Sequence, residues 1–70
     1  MKLLYRMFVQ FLDDMAVGDQ FTVVDFQDYV RSFNPRLCPS NAEVAFLAKI
    51  CPTVQHADKI GRWVSYRVVA

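Results

Sequence analysis

Seventy residues, 54% of them hydrophobic and including six Phe, three Tyr and one Trp, suit one small globular domain and exclude a disordered chain. The formal net charge of +1 sets no overall preference for an acidic or a basic partner. No run approaches the roughly 18–20 apolar residues that span a bilayer, so no membrane partner is expected.

The charge is unevenly spread. Residues 1–28 carry Lys2 and Arg6 against five aspartates, a balance of −3. Residues 29–70 carry six bases (Arg31, Arg36, Lys49, Lys59, Arg62, Arg67) against Glu43 and Asp58, a balance of +4. Such a split suggests one basic surface.

The first segment places Leu4, Met7, Phe8, Phe11, Leu12 and Met15 at helical spacing, with Lys2, Arg6, Gln10 and Asp13 opposite. Arg6 and Gln10 interrupt it and no small-residue cleavage site follows, so it is expected to be the first helix of a cytoplasmic protein rather than a signal sequence. Gly18 is its expected stop. Leu3, Tyr5 and Val9 lie beside the core stripe and form a candidate self-association face, making a second copy of the chain a potential partner.

Phe21-Thr22-Val23 is β-like, and Thr22 with Asp25 matches a capping box, so a second helix should start after Thr22. Phe26, Tyr29, Val30 and Phe33 give it a helical stripe. It should end near Phe33, because Asn34 precedes Pro35 and that position disfavours helix. A two-proline bend leads to Ser40 and Glu43, a second capping box, opening a third helix over Asn41–Cys51. Val44, Leu47, Ala48 and Cys51 share its core side, which Phe46 and Ile50 should extend. Asn41, Ala42, Ala45 and Lys49 lie opposite. Pro52 stops it.

Thr53–Ala57 reads as a strand, Asp58–Gly61 as a turn with Gly61 at positive φ, and Trp63–Val69 as an alternating strand. Val64, Tyr66 and Val68 fall on one face, and Trp63, Ser65 and Arg67 on the other. Trp63 and Tyr66 are expected in the core, since large aromatics dominate small cores, with the Tyr66 hydroxyl reaching the surface. Stacking of Trp63 on a sugar or base is the other option. His56 should be a half-exposed strand residue.

Cys38 and Cys51 bracket the third helix, whose length of about 16 Å exceeds the roughly 7 Å Cα separation of a disulfide. They are expected to be small buried thiols. With His56 they lack metal-ligand spacing, so no metal is expected. One histidine, no Gly-rich phosphate loop and no nucleophile–base arrangement argue against an enzyme; no catalytic residue and no cofactor are expected.

The succession helix, strand, helix, helix, strand, strand resembles the winged helix-turn-helix family from about Leu3 to Val69. The likeness is carried by Phe21-Thr22-Val23 before a capped helix, the Asn34-Pro35-Arg36-Leu37 bend, the Ser40–Glu43 capped helix, and Gly61-Arg62-Trp63-Val64-Ser65-Tyr66-Arg67-Val68. It implies an α+β winged-helix domain, residues 1–70, with three helices and a three-stranded antiparallel sheet. It also implies a recognition helix at Asn41–Cys51 and a wing tip at Asp58–Arg62. Double-stranded DNA is then the expected partner of a transcriptional regulator or accessory DNA-binding factor.

Arg36, Ser40, Asn41, Lys49, Lys59 and Arg62 are the candidate nucleic-acid contacts, with Lys59 and Arg62 the strongest pair and Arg31 and Arg67 secondary. Asn41 and Lys49 offer few base-reading groups, and the Ala-rich face and near-neutral charge leave a protein-interaction module as the alternative. RNA would use the same basic surface.

Overall fold

The computed structural model describes residues 2–69, the side chain of Lys2 aside. Two side-chain caps organise the chain. Thr22 accepts from the Asp25 amide at 3.3 Å while Asp25 Oδ2 accepts from the Thr22 amide at 2.8 Å. Ser40 and Glu43 repeat the exchange, both bonds at 3.1 Å. Each cap satisfies two amides that the first turn of a helix leaves without partners. The described residues form α1 (Lys2–Asp13), β1 (Gln20–Thr22), α2 (Val23–Phe33), α3 (Asn41–Ile50), β2 (Val54–Ile60) and β3 (Trp63–Val68).

This is a small α+β fold with an antiparallel sheet in the order β1-β3-β2. Phe21, Tyr66 and His56 form one cross-strand row, and Thr22, Ser65 and Ala57 the next, so these rows face opposite sides of the sheet. The Phe21–Tyr66 side, joined by Val54 and Val68, faces the helices.

The core is aromatic at its centre. Phe8 and Phe26 meet edge to face at 5.1 Å, as do Phe11 and Phe21. Pairs of this geometry add about 0.5–1.5 kcal/mol each beyond area burial. Val30, Val44 and Leu47 complete the fully buried set from α2 and α3.

Three expectations change. Gly18, with φ of 96°, does not stop α1, which ends at Asp13. It turns the chain into β1, donating to the Val68 carbonyl at 2.7 Å while Val68 donates to Asp19 at 2.9 Å. Strand β2 runs on to Ile60, so the reversal is the pair Gly61-Arg62 rather than Asp58–Gly61. Trp63 lies outside the core at 37% exposure, because it sits beside the hairpin reversal, where its cross-strand partner Ile60 is exposed as well.

Tyr66 is buried between the Phe21 ring and the His56 ring, each centroid 5.7 Å away. Burial pushes its hydroxyl above the ordinary value of 10.0. The folded chain therefore holds that proton more tightly than the unfolded chain. The stability this contributes is complete below pH 10 or so and is lost as pH rises through the folded value. Urea midpoints measured from about pH 9 upward should fall more steeply in the wild type than in Tyr66→Phe above about pH 10. Parallel curves would contradict the upward shift of the Tyr66 hydroxyl.

Candidate functional site

The α2–α3 bend is held by its own polar groups. Asn34 Oδ1 accepts from the Arg36 amide at 3.0 Å, and the Asn34 carbonyl accepts from Leu37 at 3.0 Å. Gln27 Nε2, on α2, donates to the carbonyl of buried Pro39 and to Asn41 Oδ1, both at 2.9 Å. The bend thus sets the angle at which α3 leaves α2. It also presents Arg36, Ser40 and Asn41 together at the entrance to α3.

The capping box changes what these residues offer. Ser40 Oγ already accepts from Glu43, which leaves its O–H to donate. The Glu43 carboxylate sits on the Ser40 amide, so part of the helix's positive end already has its anion. The Asn41 oxygen is taken by Gln27, leaving its NH2 as a donor.

Only Val44, Leu47 and Ala48 of α3 are buried. Phe46 and Ile50 are 47% and 46% exposed, against the expectation that they extend the core side. The reason is coverage: α2 and the sheet reach one flank of the helix, and among the described residues no element lies over the other. The outward face is therefore Ala42, Ala45, Phe46, Lys49 and Ile50, which fall within one arc at 100° per residue, roughly 140° wide. Lys49 sits in the last turn, where a cation is favoured by the helix dipole.

The hairpin carries the remaining cations. Gly61 takes φ of 62° while Arg62 keeps a negative φ, the pattern of a two-residue II′ turn with glycine first. The register slips between Ala57 and Ile60, placing Asp58 and Lys59 opposite Val64 as a bulge. Ser65, fully buried on the middle strand, donates its hydroxyl to the Asp58 carbonyl and fastens that bulge. The Arg62 guanidinium lies 5.2 Å from the centre of the Trp63 ring, a cation–π contact at the surface. Next to the tip, His56, Asp58, Lys59 and Arg67 line an open concavity of about 430 Å³.

Among the described residues the one ion pair joins Arg31 to Asp28 on α2, which engages Arg31. Arg36, Lys49, Lys59, Arg62 and Arg67 are exposed and hold no carboxylate among the described residues. Two groups result: Arg36, Ser40 and Asn41 at the start of α3, and Lys59 with Arg62 at the hairpin tip. Lys49 stands about 12 Å along the helix from Asn41. Arg67, secondary in the sequence, belongs with the hairpin group.

The three α1 residues do not form one patch. Leu3 lines a cleft of about 250 Å³ with Met7, Phe33 and Leu37. Tyr5 and Val9 line another of about 290 Å³ with Cys51, Pro52 and Val68, on the opposite flank of α1. Cys51 is buried, its Sγ 3.3 Å from Thr53 Oγ1, whereas Cys38 is exposed in the bend. The expectation that both thiols are buried fails for Cys38 because the bend lies on the surface.

Sequence reasoning missed Phe46, Ile50 and Trp63 as surface residues. Hydrophobic spacing reports which residues share a side, not whether another element covers it. Comparison with family models, with curated proteins and with solved structures returned no match.

The exposed indole beside a guanidinium has an optical consequence. Trp63 is the sole tryptophan, so its emission reports this tip alone. Iodide should quench native protein readily, and Arg62→Ala should lower the quenching constant by removing the cation that attracts the anion. Emission shielded from iodide in the folded state would show a buried Trp63 instead.

Proposed function

We propose that this chain is a winged-helix domain that binds double-stranded DNA, with α3 entering the groove as the recognition helix and the β2–β3 hairpin acting as the wing. A transcriptional regulator or an accessory DNA-binding factor of the cytoplasm uses such a module. The element order and the sheet order β1-β3-β2 support this assignment. The observation that carries it is the set of exposed cations on α3, its entrance and the hairpin, unpaired among the described residues, the acids of these elements being Glu43, held in its cap, and Asp58.

Arg36, Ser40 and the free amides at the start of α3 would hold phosphates on one side of the groove, and Lys59 and Arg62 on the other. Arg67 adds reach along the hairpin. Trp63, already stacked with Arg62, supplies a flat apolar surface for a deoxyribose.

A site with about four to six phosphate contacts loses roughly a hundredfold to a thousandfold in affinity between 50 and 200 mM salt. A Lys59→Ala, Arg62→Ala double variant should bind more weakly and lower the slope of log K against log salt by about 2. Titration of a short duplex by gel retardation or anisotropy measures both. No binding at about 50 mM salt, where backbone contacts are strongest, would contradict the proposal.

One observation favours a second function. Phe46 and Ile50 expose apolar surface on the same helix, as a protein-interaction module would. In that case duplex DNA fails to bind at any salt, and Phe46→Ala abolishes capture of a protein partner.

A further inference from the structure

The outward face of α3 is unusual for a surface helix. Its arc contains Ala42, Ala45, Phe46 and Ile50 with a single charge, Lys49. The nearest carboxylate, Glu43, is bonded back to the Ser40 amide. On one border stands Asn41, whose oxygen is occupied by Gln27 and whose NH2 alone remains to donate. The face thus offers apolar contact, one cation and one donor, with the Asn41 oxygen already engaged by Gln27.

We propose that this face reads thymine methyl groups in the major groove, which makes A·T base pairs the preferred target. The inference rests on the DNA-binding function proposed above and names its substrate class. Of the four bases, thymine alone presents an apolar group in the major groove, its C5-methyl, and beside it O4 is an acceptor. Phe46, Ile50 and the two alanines fit the methyls. Asn41 and Lys49 fit O4 and the adjoining phosphates. A helix of ten residues is about 15 Å long and, with side chains, about 10–12 Å thick, which matches a groove about 12 Å wide. Ala42 and Ala45, the small members of the arc, let the helix backbone come close.

Charge selects this occupant over an apolar protein surface. Arg36 precedes the helix, Lys49 lies within the arc, and β2, which packs on α3, carries Lys59 and leads into Arg62. An apolar strip set among unpaired cations suits a polyanion with methyl groups in its groove. A neutral protein patch would leave those cations without partners.

The test removes the methyl and nothing else. Two duplexes of one A·T-rich sequence are compared, one with thymidine and one with deoxyuridine, which leaves minor groove and phosphates unchanged. A second pair compares cytosine with 5-methylcytosine in a G·C-rich sequence, restoring a methyl at the same groove position. The wild type should bind the thymidine duplex about fourfold to sixteenfold more tightly than the deoxyuridine duplex, at about fourfold for each of one or two buried methyls. It should also prefer 5-methylcytosine to cytosine. In Phe46→Ala, Ile50→Ala, where both changes fall on exposed side chains, the two ratios should approach one.

Equal binding of thymidine and deoxyuridine duplexes, with steep salt dependence intact, would overturn the methyl-reading face and leave DNA binding standing. A ratio unchanged in the double variant would overturn it too. Absence of binding to every duplex would overturn the DNA-binding function and this inference with it.

Discussion

Phe21 is where the two halves of the chain meet. Its ring lies 5.9 Å from Phe8 and 5.1 Å from Phe11 on α1, both edge on, and 5.7 Å from Tyr66 on β3. Its backbone pairs with Tyr66 in the same register. Thr22, the next residue, caps α2. A strand of only three residues therefore fixes the place of the first helix, the start of the second and the middle strand of the sheet. Truncating a buried Phe costs about 3–5 kcal/mol. Natural domains are stable by about 0.05–0.15 kcal/mol per residue, so a chain of this size has little to spare beyond one such loss.

From that anchor the surface follows. The Gln27 amide and the Asn34 turn set the entry of α3, and one flank of α3 is buried by Val44, Leu47 and Ala48. The opposite flank stays bare because no further element exists among the described residues to cover it. Likewise β3 is the middle strand, but its first residue, Trp63, lies at the hairpin end beyond the core, in contact with Arg62 and solvent. The features proposed to bind DNA are thus by-products of limited coverage: an apolar helix face and a cationic hairpin tip, held at fixed angles by a small aromatic core.

Much of the fold was legible where the signals were local. Thr22 with Asp25 and Ser40 with Glu43 mark their helix starts within four residues, and α2 begins and ends where the caps and Asn34-Pro35 place it. The alternation after Gly61 correctly divides Tyr66 and Val68 from Ser65 and Arg67. What was not legible depends on distant partners. The bulge at Asp58 and Lys59 inserts a residue that no alternation announces, and it moves the turn to Gly61-Arg62. The exposure of Phe46, Ile50, Trp63 and Cys38 depends on which faces the rest of the chain can reach. Of the candidate site, the cations were legible as a charge split, whereas the commitments of Ser40, Asn41 and Glu43 to internal hydrogen bonds appear only in three dimensions.

A map of backbone amide chemical shifts during addition of a short A·T-rich duplex tests the proposed interface most directly. Changes should concentrate at Ala42, Ala45, Phe46 and Lys49 on α3, at Arg36 in the bend, and from Lys59 to Trp63 on the hairpin, while the α1 residues Leu3, Tyr5 and Val9 stay in place. Changes confined to α1, or no changes at saturating duplex and low salt, would contradict it.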